Sequence, residues 1–415
     1  RSRSRAAGKI SGEIFTELVE DKIANLGLKT EFVGYKSDSA DAKITALIDL
    51  KNGVEITDAK KNAEIGIVLD RTPFYGESGG QVGDTGVLKL VDKKIKVLDT
   101  KKFRDVFLHI IKFDSEISKG LRVIAAIDKK RRENIMKNHT ATHLLQQTLR
   151  ETLGDHVRQA GSVVDDKHLR FDFMHQNKIE LVELEKISNK INEKIFTGDK
   201  ISIKDNLKLE DAKKNGAIAL FGEKYGENVR MVSIGNYSKE LCGGTHVENL
   251  KDIDYFKIIS ESSIASGIRR IEALTGKFAK DYVVDSFRQV LQDLKSKLKE
   301  INSLESKLDF KKTEPVLINK FNTFNAEKFG FKDLHRVESA TLELKNALEE
   351  FSEICKGLLK KMSQSKMTYA KSNVDKYITG AKVINKTKVA IVRIDDTELN
   401  ILRLCSDDIK NKLAP

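Results

Sequence analysis

Residues 128–154 read DKKRRENIMKNHTATHLLQQTLRETLG, and the rest of the chain can be read outward from them. The spacing predicts one long amphipathic helix. Asp128 supplies an N-cap oxygen, while Ile135, Leu144, Leu145, Thr148 and Leu149 form an apolar stripe. Gly154 ends the run. Inside it, His139 and His143 stand at i and i+4, so both imidazoles leave the same helix face. Upstream, residues 31–127 carry short apolar runs (TALIDL, EIGIVLD, GVLKL, KIKVLDT, VFLHII, LRVIAAI) separated by Gly, Asp, Asn and Lys. Several short strands at this spacing predict a small barrel or sandwich. Downstream, HLRFDF (168–173) alternates as a strand does, and 179–196 reads as an amphipathic helix. AIALF, VRMVSI, YFKIISES and IRRIEAL follow between glycine turns. Helices mixed with strands in this order predict an α+β fold, a small β-barrel followed by an α+β core.

The sharpest chemical signal is the pair of motifs HTATH (139–143) and CGGTH (242–246). Two glycines cannot sit in a helix interior without cost, so CGGTH is a tight turn that lets Cys242 and His246 point the same way. A thiolate with three imidazoles suits zinc over magnesium or calcium, with bonds of about 2.3 Å to sulfur and about 2.0–2.1 Å to nitrogen. His139, His143, Cys242 and His246 are therefore the expected metal ligands. Four protein ligands fill a tetrahedron, as in a structural site, so catalysis must draw on other residues too.

TPFYGESGGQVGDTG (72–86) reads either as a turn-rich hairpin or as a backbone able to approach a ligand closely. Gln81 follows its glycine pair, where an amide could orient a water. HVRQAGS (156–162) follows the histidine helix and places Gln159 on the exit loop near the site. Arg269 and Arg270 could meet RNA phosphates, but neighbours in a strand face opposite ways, so at most one serves any groove.

Composition bounds these readings. The 415 residues suggest roughly three domains. Lys and Arg total 74 against 62 Asp and Glu, a formal charge of +12. That surplus favours a polyanionic partner, although a lysine-rich proteome would give the same number. Cys242, Cys355 and Cys405 are odd in number and far apart, which excludes a disulfide framework and points to a reducing cytoplasm. No apolar run nears the roughly 18 residues that span a bilayer. The first residues, RSRSRAAGKISGEIF, contain no signal-type stretch and no Met, so the chain is expected to begin inside a longer protein. A short helix carrying Ile14, Phe15, Leu18, Val19 and Ile23 is expected there.

After Gly276 the pattern changes. Phe287, Leu291, Leu294, Leu298, Ile301 and Leu308 repeat as a coiled-coil-like helix of about three heptads. Residues 339–362 form a second amphipathic helix, and the two could pair antiparallel or pack as ordinary helices. VAIVRI (389–394) reads as a strand and TELNILRLCSDDIKNKL (397–413) as a helix.

In this order and spacing, the motifs closely resemble the editing domain of the alanyl-tRNA synthetase family. The pieces that carry the resemblance are TPFYGESGGQVGDTG, NHTATHLLQQTLRETLGDHVRQAGS, LRFDF, GAIALFGEKYGENVRMVSIG, ELCGGTH and IISESSIASGIRRIEALTG. They run from about 64 to 276. SRAAGK resembles the end of the family's tRNA-recognition region, and VAIVRIDDTELNILRLCSDDIKNKL (389–413) resembles the start of its C-terminal globular domain. The resemblance implies five parts. Residues 1–30 would end the tRNA-recognition region, 31–127 form the barrel part of the editing domain, and 128–277 its zinc-containing core. Residues 278–380 would be a helical coiled-coil region, and 381–415 the start of a truncated α/β C-terminal domain.

It also implies a task. The family's full enzyme attaches alanine to tRNA(Ala) with ATP, and its editing site hydrolyses tRNA(Ala) mischarged with serine or glycine, because a small pocket rejects neither fully by binding. Carried over by position, His139, His143, Cys242 and His246 hold Zn²⁺, Gln159 is a polar residue near the ester, and Thr140 and Thr142 lie beside the ligands to meet the amino-acid side chain. Gln159, Gln81 and Thr140 are the expected catalytic residues. No ATP-binding core is present in this stretch of sequence. A homodimer through the coiled-coil and C-terminal regions, a cytoplasmic location and no membrane partner complete the expectation. A threonyl-tRNA synthetase editing domain carries a similar histidine pair, but GESGGQVGDTG and CGGTH fit the alanine enzyme better. A tRNA-binding module with a purely structural zinc is the competing reading from another class.

Overall fold

The computed structural model describes residues 17–59, 64–112, 117–218, 226–308, 316–394 and 399–413. The expected basic tail, Ile14, Phe15 and the second half of AIALF lie outside these residues. Contacts divide the chain into two compact units, Arg1–Asp281 and Tyr282–Pro415. The first is α+β.

Six strands close into an antiparallel barrel. Ser39–Asp49, Glu64–Leu69, Val106–Lys112, Lys94–Phe103, Gly86–Lys89 and Arg122–Ile127 are hydrogen-bonded in that order, and the last pairs back onto the first. Closure removes the open edges that a sheet of this size would otherwise expose. The interior is aliphatic: Ile44, Leu47, Ile67, Leu69, Leu88, Val97 and Ile111 are wholly buried. His109 is wholly buried as well, with its ring nitrogens 2.7 Å from Thr72 Oγ1 and 2.9 Å from the Ile67 carbonyl.

The long helix forms as expected. It spans Lys129–Leu153, Asp128 caps it by accepting from the Arg131 N–H, and Gly154 closes it at φ 113°. Its stripe of Ile135, Leu144, Leu145 and Leu149 packs on a four-stranded antiparallel sheet, Gln159–Val164, Leu169–Met174, Ile268–Thr275 and Phe256–Ala265 in that order. The amphipathic helix Leu181–Thr197 covers the same core with Ile187, Ile191 and Ile195. A three-stranded sheet, Ile201–Lys208, Asn228–Ile234 and Ser238–Leu241, leads directly into the CGGTH turn.

Arg132 ties the helix to the barrel. Its guanidinium pairs with Asp84 and donates to the carbonyls of Gly34 and Pro73, each at 3.0 Å, while Asp84 also accepts from the Tyr75 N–H. A buried ion pair is tolerable when its donors and acceptors are satisfied in this way. The consequence is positional, because the glycine-rich loop 72–86 is clamped beside the histidine face.

In the second unit, Ile301 and Leu304 pack on Cys355 and Leu358, joining the helix that ends at Leu308 to the helix Leu334–Ser372. The two run in the same direction, which corrects the antiparallel expectation. Phe287 meets Phe321 and Phe324, Lys320 pairs with Glu343, and Cys355 donates to Glu300. At 1.5 Å of rise per residue these contacts cannot coexist in an antiparallel pair. Phe321, Phe324 and Glu327, which precede the second helix, lie beside Phe287 and Arg288 of the first. Short connections make antiparallel neighbours, and this one is long.

VAIVRI is also corrected. Only its Val389 belongs to a strand, Thr387–Val389, which pairs with Lys382–Ile384 across a two-residue turn. Asn385 and Lys386 take φ 47° and 65° there, the left-handed pair that suits a tight hairpin. The partner lies N-terminal to the run, so pairing ends where the run begins. The helix Leu399–Leu413 follows.

Candidate metal centre and its pocket

The structure brings His139, His143, Cys242 and His246 together, with their ligand atoms all within 4.8 Å of one another. Cys242 Sγ lies 3.4 Å from His139 Nε2 and 3.3 Å from His246 Nε2. The edge of a zinc tetrahedron built from one sulfur and one nitrogen is about 3.5 Å by bond length. The four donors therefore fit a cation of that size, and the cluster could hold a metal ion.

Two of the imidazoles are oriented from behind by a hydrogen bond: His139 Nδ1 sits 2.7 Å from Gln81 Oε1 and His246 Nδ1 sits 3.1 Å from Thr140 Oγ1. His143 Nδ1 makes no hydrogen bond and has the Glu240 carboxylate 3.4 Å away as an ion-pair neighbour. With Nδ1 engaged, Nε2 of His139 and of His246 is left for the common point. Such outer partners fix the tautomer and raise ligand basicity.

Charge preference differs from ligand to ligand within the cluster. Burial opposes charge on Cys242, yet the three surrounding imidazoles outweigh it and hold the thiol well below its ordinary value. Burial pushes His246 down to about 3, which keeps that ring neutral. Burial also works against a proton on His143, but Glu240 and the Cys242 sulfur prevail and hold it up at about 9. Burial raises the Glu240 carboxyl despite that neighbour.

Helix and turn supply their ligands differently. His139 and His143 need only the helix repeat. Cys242 and His246 need a bend that admits no side chain at Gly244, where a Cβ would overlap the His139 ring and crowd Gln81 Oε1. Beside the cluster lies a cavity of about 90 Å³, walled by Tyr75, Ser78, Thr142, Gln159, Ser162 and Cys242 among others. The turn at its rim, Ser78–Gln81, has Gly79 and Gly80 at φ 57° and 84°, with Ser78 and Gln81 bonded to each other through both backbone pairs. Only glycine holds such angles without strain.

The expected catalytic residues fall into two settings. Gln159 lines the cavity, with Nε2 donating to Ser162 Oγ at 3.2 Å. It begins the strand Gln159–Val164, where the sequence suggested a loop. Gln81 does not face the cavity. It is wholly buried behind His139, its amide shared between that ring and the N–H and hydroxyl of Thr245. Thr140 is wholly buried too and holds His246 while accepting from the Val247 N–H. One residue on a helix turns the side chain about 100°, so Thr140 faces away from His139's side while Thr142 reaches the cavity.

Arg269 and Arg270 do leave their strand on opposite faces, but each is spent on a carboxylate. Arg269 pairs with Glu261, and Arg270 grips Asp172 at 2.7 and 2.8 Å. Four contributors escaped the sequence reading, namely Glu240, Thr245, Arg230 and Tyr35. Glu240 and Thr245 stand within the ELCGGTH motif and carried a positional hint, whereas Arg230 and Tyr35 carried none.

Comparison with known proteins places the chain among relatives. The profile of class II (A) tRNA synthetases matches residues 1–131, and that of the threonyl and alanyl tRNA synthetase second additional domain matches residues 229–272. The second segment includes the CGGTH turn, while His139 and His143 lie outside both. These profiles define the class as aminoacyl-tRNA synthetase. Among curated proteins, the alanine–tRNA ligase of Acetivibrio thermocellus is 39% identical over 389 residues, covering 93% of this chain and 39% of the relative. That of Thermoanaerobacter pseudethanolicus is 37% identical over the whole chain and 42% of its own length. That of Wolbachia pipientis is 47% identical over 77% of this chain and 37% of its own. The chain belongs to the alanyl-tRNA synthetase family, and it spans about two fifths of the length of these relatives. Among the described residues no helix is long and apolar enough to cross a membrane.

Proposed function

We propose that this chain carries the editing site of an alanyl-tRNA synthetase, which hydrolyses the ester of tRNA(Ala) mischarged with serine or glycine. The observation that carries the reading is the meeting of two distant motifs, 139–143 and 242–246, at the wall of a small polar cavity. His139, His143, Cys242 and His246 would hold zinc. When bound, zinc would supply a cationic anchor for the polar groups of the aminoacyl end.

This chain's own side chains do the rest. Thr142, Gln159 and Ser162 line the cavity, with the Thr142 hydroxyl donating to the Asn138 carbonyl and the Gln159 amide to the Ser162 hydroxyl, so a seryl hydroxyl finds polar partners in Gln159 and Ser162 that an alanyl methyl cannot use. The same groups can hold a water against the ester carbonyl. Gln81, Thr140 and Glu240 act through the rings they hold. The surplus of positive charge suits an RNA partner. The five-part division given above, a homodimer through the helices and C-terminal region, and a reducing cytoplasm belong to the same reading, as does ATP-dependent alanylation for the full-length enzyme.

The test is release of serine from Ser-tRNA(Ala), with a chelator and after zinc is restored. The reading expects release that a chelator stops and zinc returns. A chain that binds this tRNA and frees no serine would mark the zinc as structural and overturn the proposal.

A further inference from the structure

Arg230 and Tyr35 converge on the backbone of the CGGTH turn, and neither hydrogen-bonds a ligand atom. Arg230 lies on the strand Asn228–Ile234, and Tyr35 lies just before the barrel. Residue 230 brackets Cys242 from both sides of its peptide. The Arg230 carbonyl accepts from the Cys242 N–H at 3.0 Å, and Arg230 Nη1 donates to the Cys242 carbonyl at 2.9 Å. The same Nη1 reaches the Gly244 carbonyl, also at 2.9 Å. Tyr35 donates from its hydroxyl to the carbonyl between them, Gly243, at 2.6 Å. Three successive carbonyls of the turn are thus held by two side chains from elsewhere in the fold.

The two side chains also hold each other. The guanidinium stacks over the Tyr35 ring at 4.2 Å, and the Asp205 carboxylate sits 3.1 Å from Arg230 Nε. Stacking leaves the planar fork little freedom, so its donors are aimed before any cation arrives. On the inner side of the turn, the Gly244 N–H donates to Cys242 Sγ at 3.3 Å and the Thr245 N–H to Gln81 at 2.9 Å. A five-residue turn with two glycines is floppy by composition, and it costs conformational entropy to hold its two ligands at one spacing.

Resting on the metal reading above, we infer that Arg230 and Tyr35 are positioning residues that preset the Cys242–His246 spacing for the cation. They work through the turn's carbonyls, and Arg230 contributes more than Tyr35.

Cobalt(II) titration of the 415-residue chain tests this, followed by the thiolate-to-cobalt absorption band. Arg230→Ala should weaken cobalt binding about tenfold or more, the usual scale for an outer partner of a ligand, and shift the band. Arg230→Lys should recover part of the loss, since one ammonium can reach one carbonyl but not both. Tyr35→Phe, at a half-exposed position that the fold tolerates, should cost about threefold, the worth of one hydrogen bond. If Arg230→Ala does not fold, Tyr35→Phe decides alone. Variants that bind cobalt with wild-type affinity and band would overturn the inference while leaving the metal reading intact. A wild-type chain that takes up no cobalt would end the metal reading itself, and this inference with it.

Discussion

His139 and His143 project from a helix, whereas Cys242 and His246 project from a turn. In the helix, the 3.6-residue repeat alone puts i and i+4 on one face, and burial of Ile135, Leu144, Leu145 and Leu149 fixes which way that face points. In the turn, nothing local sets the spacing. It depends on the missing side chain of Gly244, on Gln81 from the glycine loop, and on Arg230 and Tyr35 from two further elements. The difference teaches where each half is vulnerable. The helix sets the spacing of its pair by itself and leans on Gln81 only for the set of the His139 ring, while the turn needs its supports to hold its pair at one spacing.

The largest effect should be common to both regions. His139→Ala and Cys242→Ala should each abolish metal uptake and cut serine release at least about a hundredfold. Metal content by atomic absorption and single-turnover deacylation measure this, and full activity in His139→Ala would refute a role for the metal.

Next comes a change made within the turn. Gly244→Ala forces a Cβ into the His139 ring. It should lower metal affinity about ten- to a hundredfold and destabilise the chain by about 1–3 kcal/mol. An undisturbed affinity would mean that the turn adapts and that the comparison drawn above is too sharp.

Smaller effects separate the supports. Gln81→Ala should cost about tenfold in zinc affinity, because it frees the His139 ring and strands the Thr245 N–H. Thr140→Val keeps its volume and loses one partner of His246, so about threefold is expected. If the order reversed, the helix pair would be the better-supported one after all.

The barrel offers the mildest contrast, a buried histidine with no ligand role. Burial pushes His109 down to about 4, against an ordinary 6.5. Below pH 6.5 the unfolded chain binds a proton that the folded chain refuses. Stability contributed by this site is thus intact above about pH 6.5 and falls as the pH drops toward 4, by about 3 kcal/mol in all. Urea unfolding between pH 7 and 5 should show that slope in the wild type and a shallower one in His109→Gln. Equal slopes would remove His109 from the account.

How much of this was legible in the chain differs from region to region. The strands of the barrel could be read from short apolar runs between turn residues, but their order could not, because pairing between Arg122–Ile127 and Ser39–Asp49 joins segments far apart in sequence. The ligand helix could be read with both caps. Gln159 was placed near the cavity, yet on a loop, because a strand that begins with a bulge between Gln159 and Gly161 has no clean alternation. Gln81 and Thr140 were named for chemistry and turned out to hold rings. Residue type suggested a polar role, and only packing could say which neighbour each amide or hydroxyl would meet. The parallel run of the two long helices was likewise invisible, since heptads give a seam and no direction.

By itself, then, the order of residues determined the elements, the ligand types and the helix-borne pair, because periodicity and side-chain chemistry are local properties. The tertiary structure alone decided how Cys242 and His246 are held against that pair, that a cavity opens beside them, and that Arg230 and Tyr35 brace the turn. Those outcomes depend on contacts between different elements, 12 residues apart for Arg230 and Cys242, 103 for His139 and Cys242 and 208 for Tyr35 and Gly243, and no local preference of the chain encodes them.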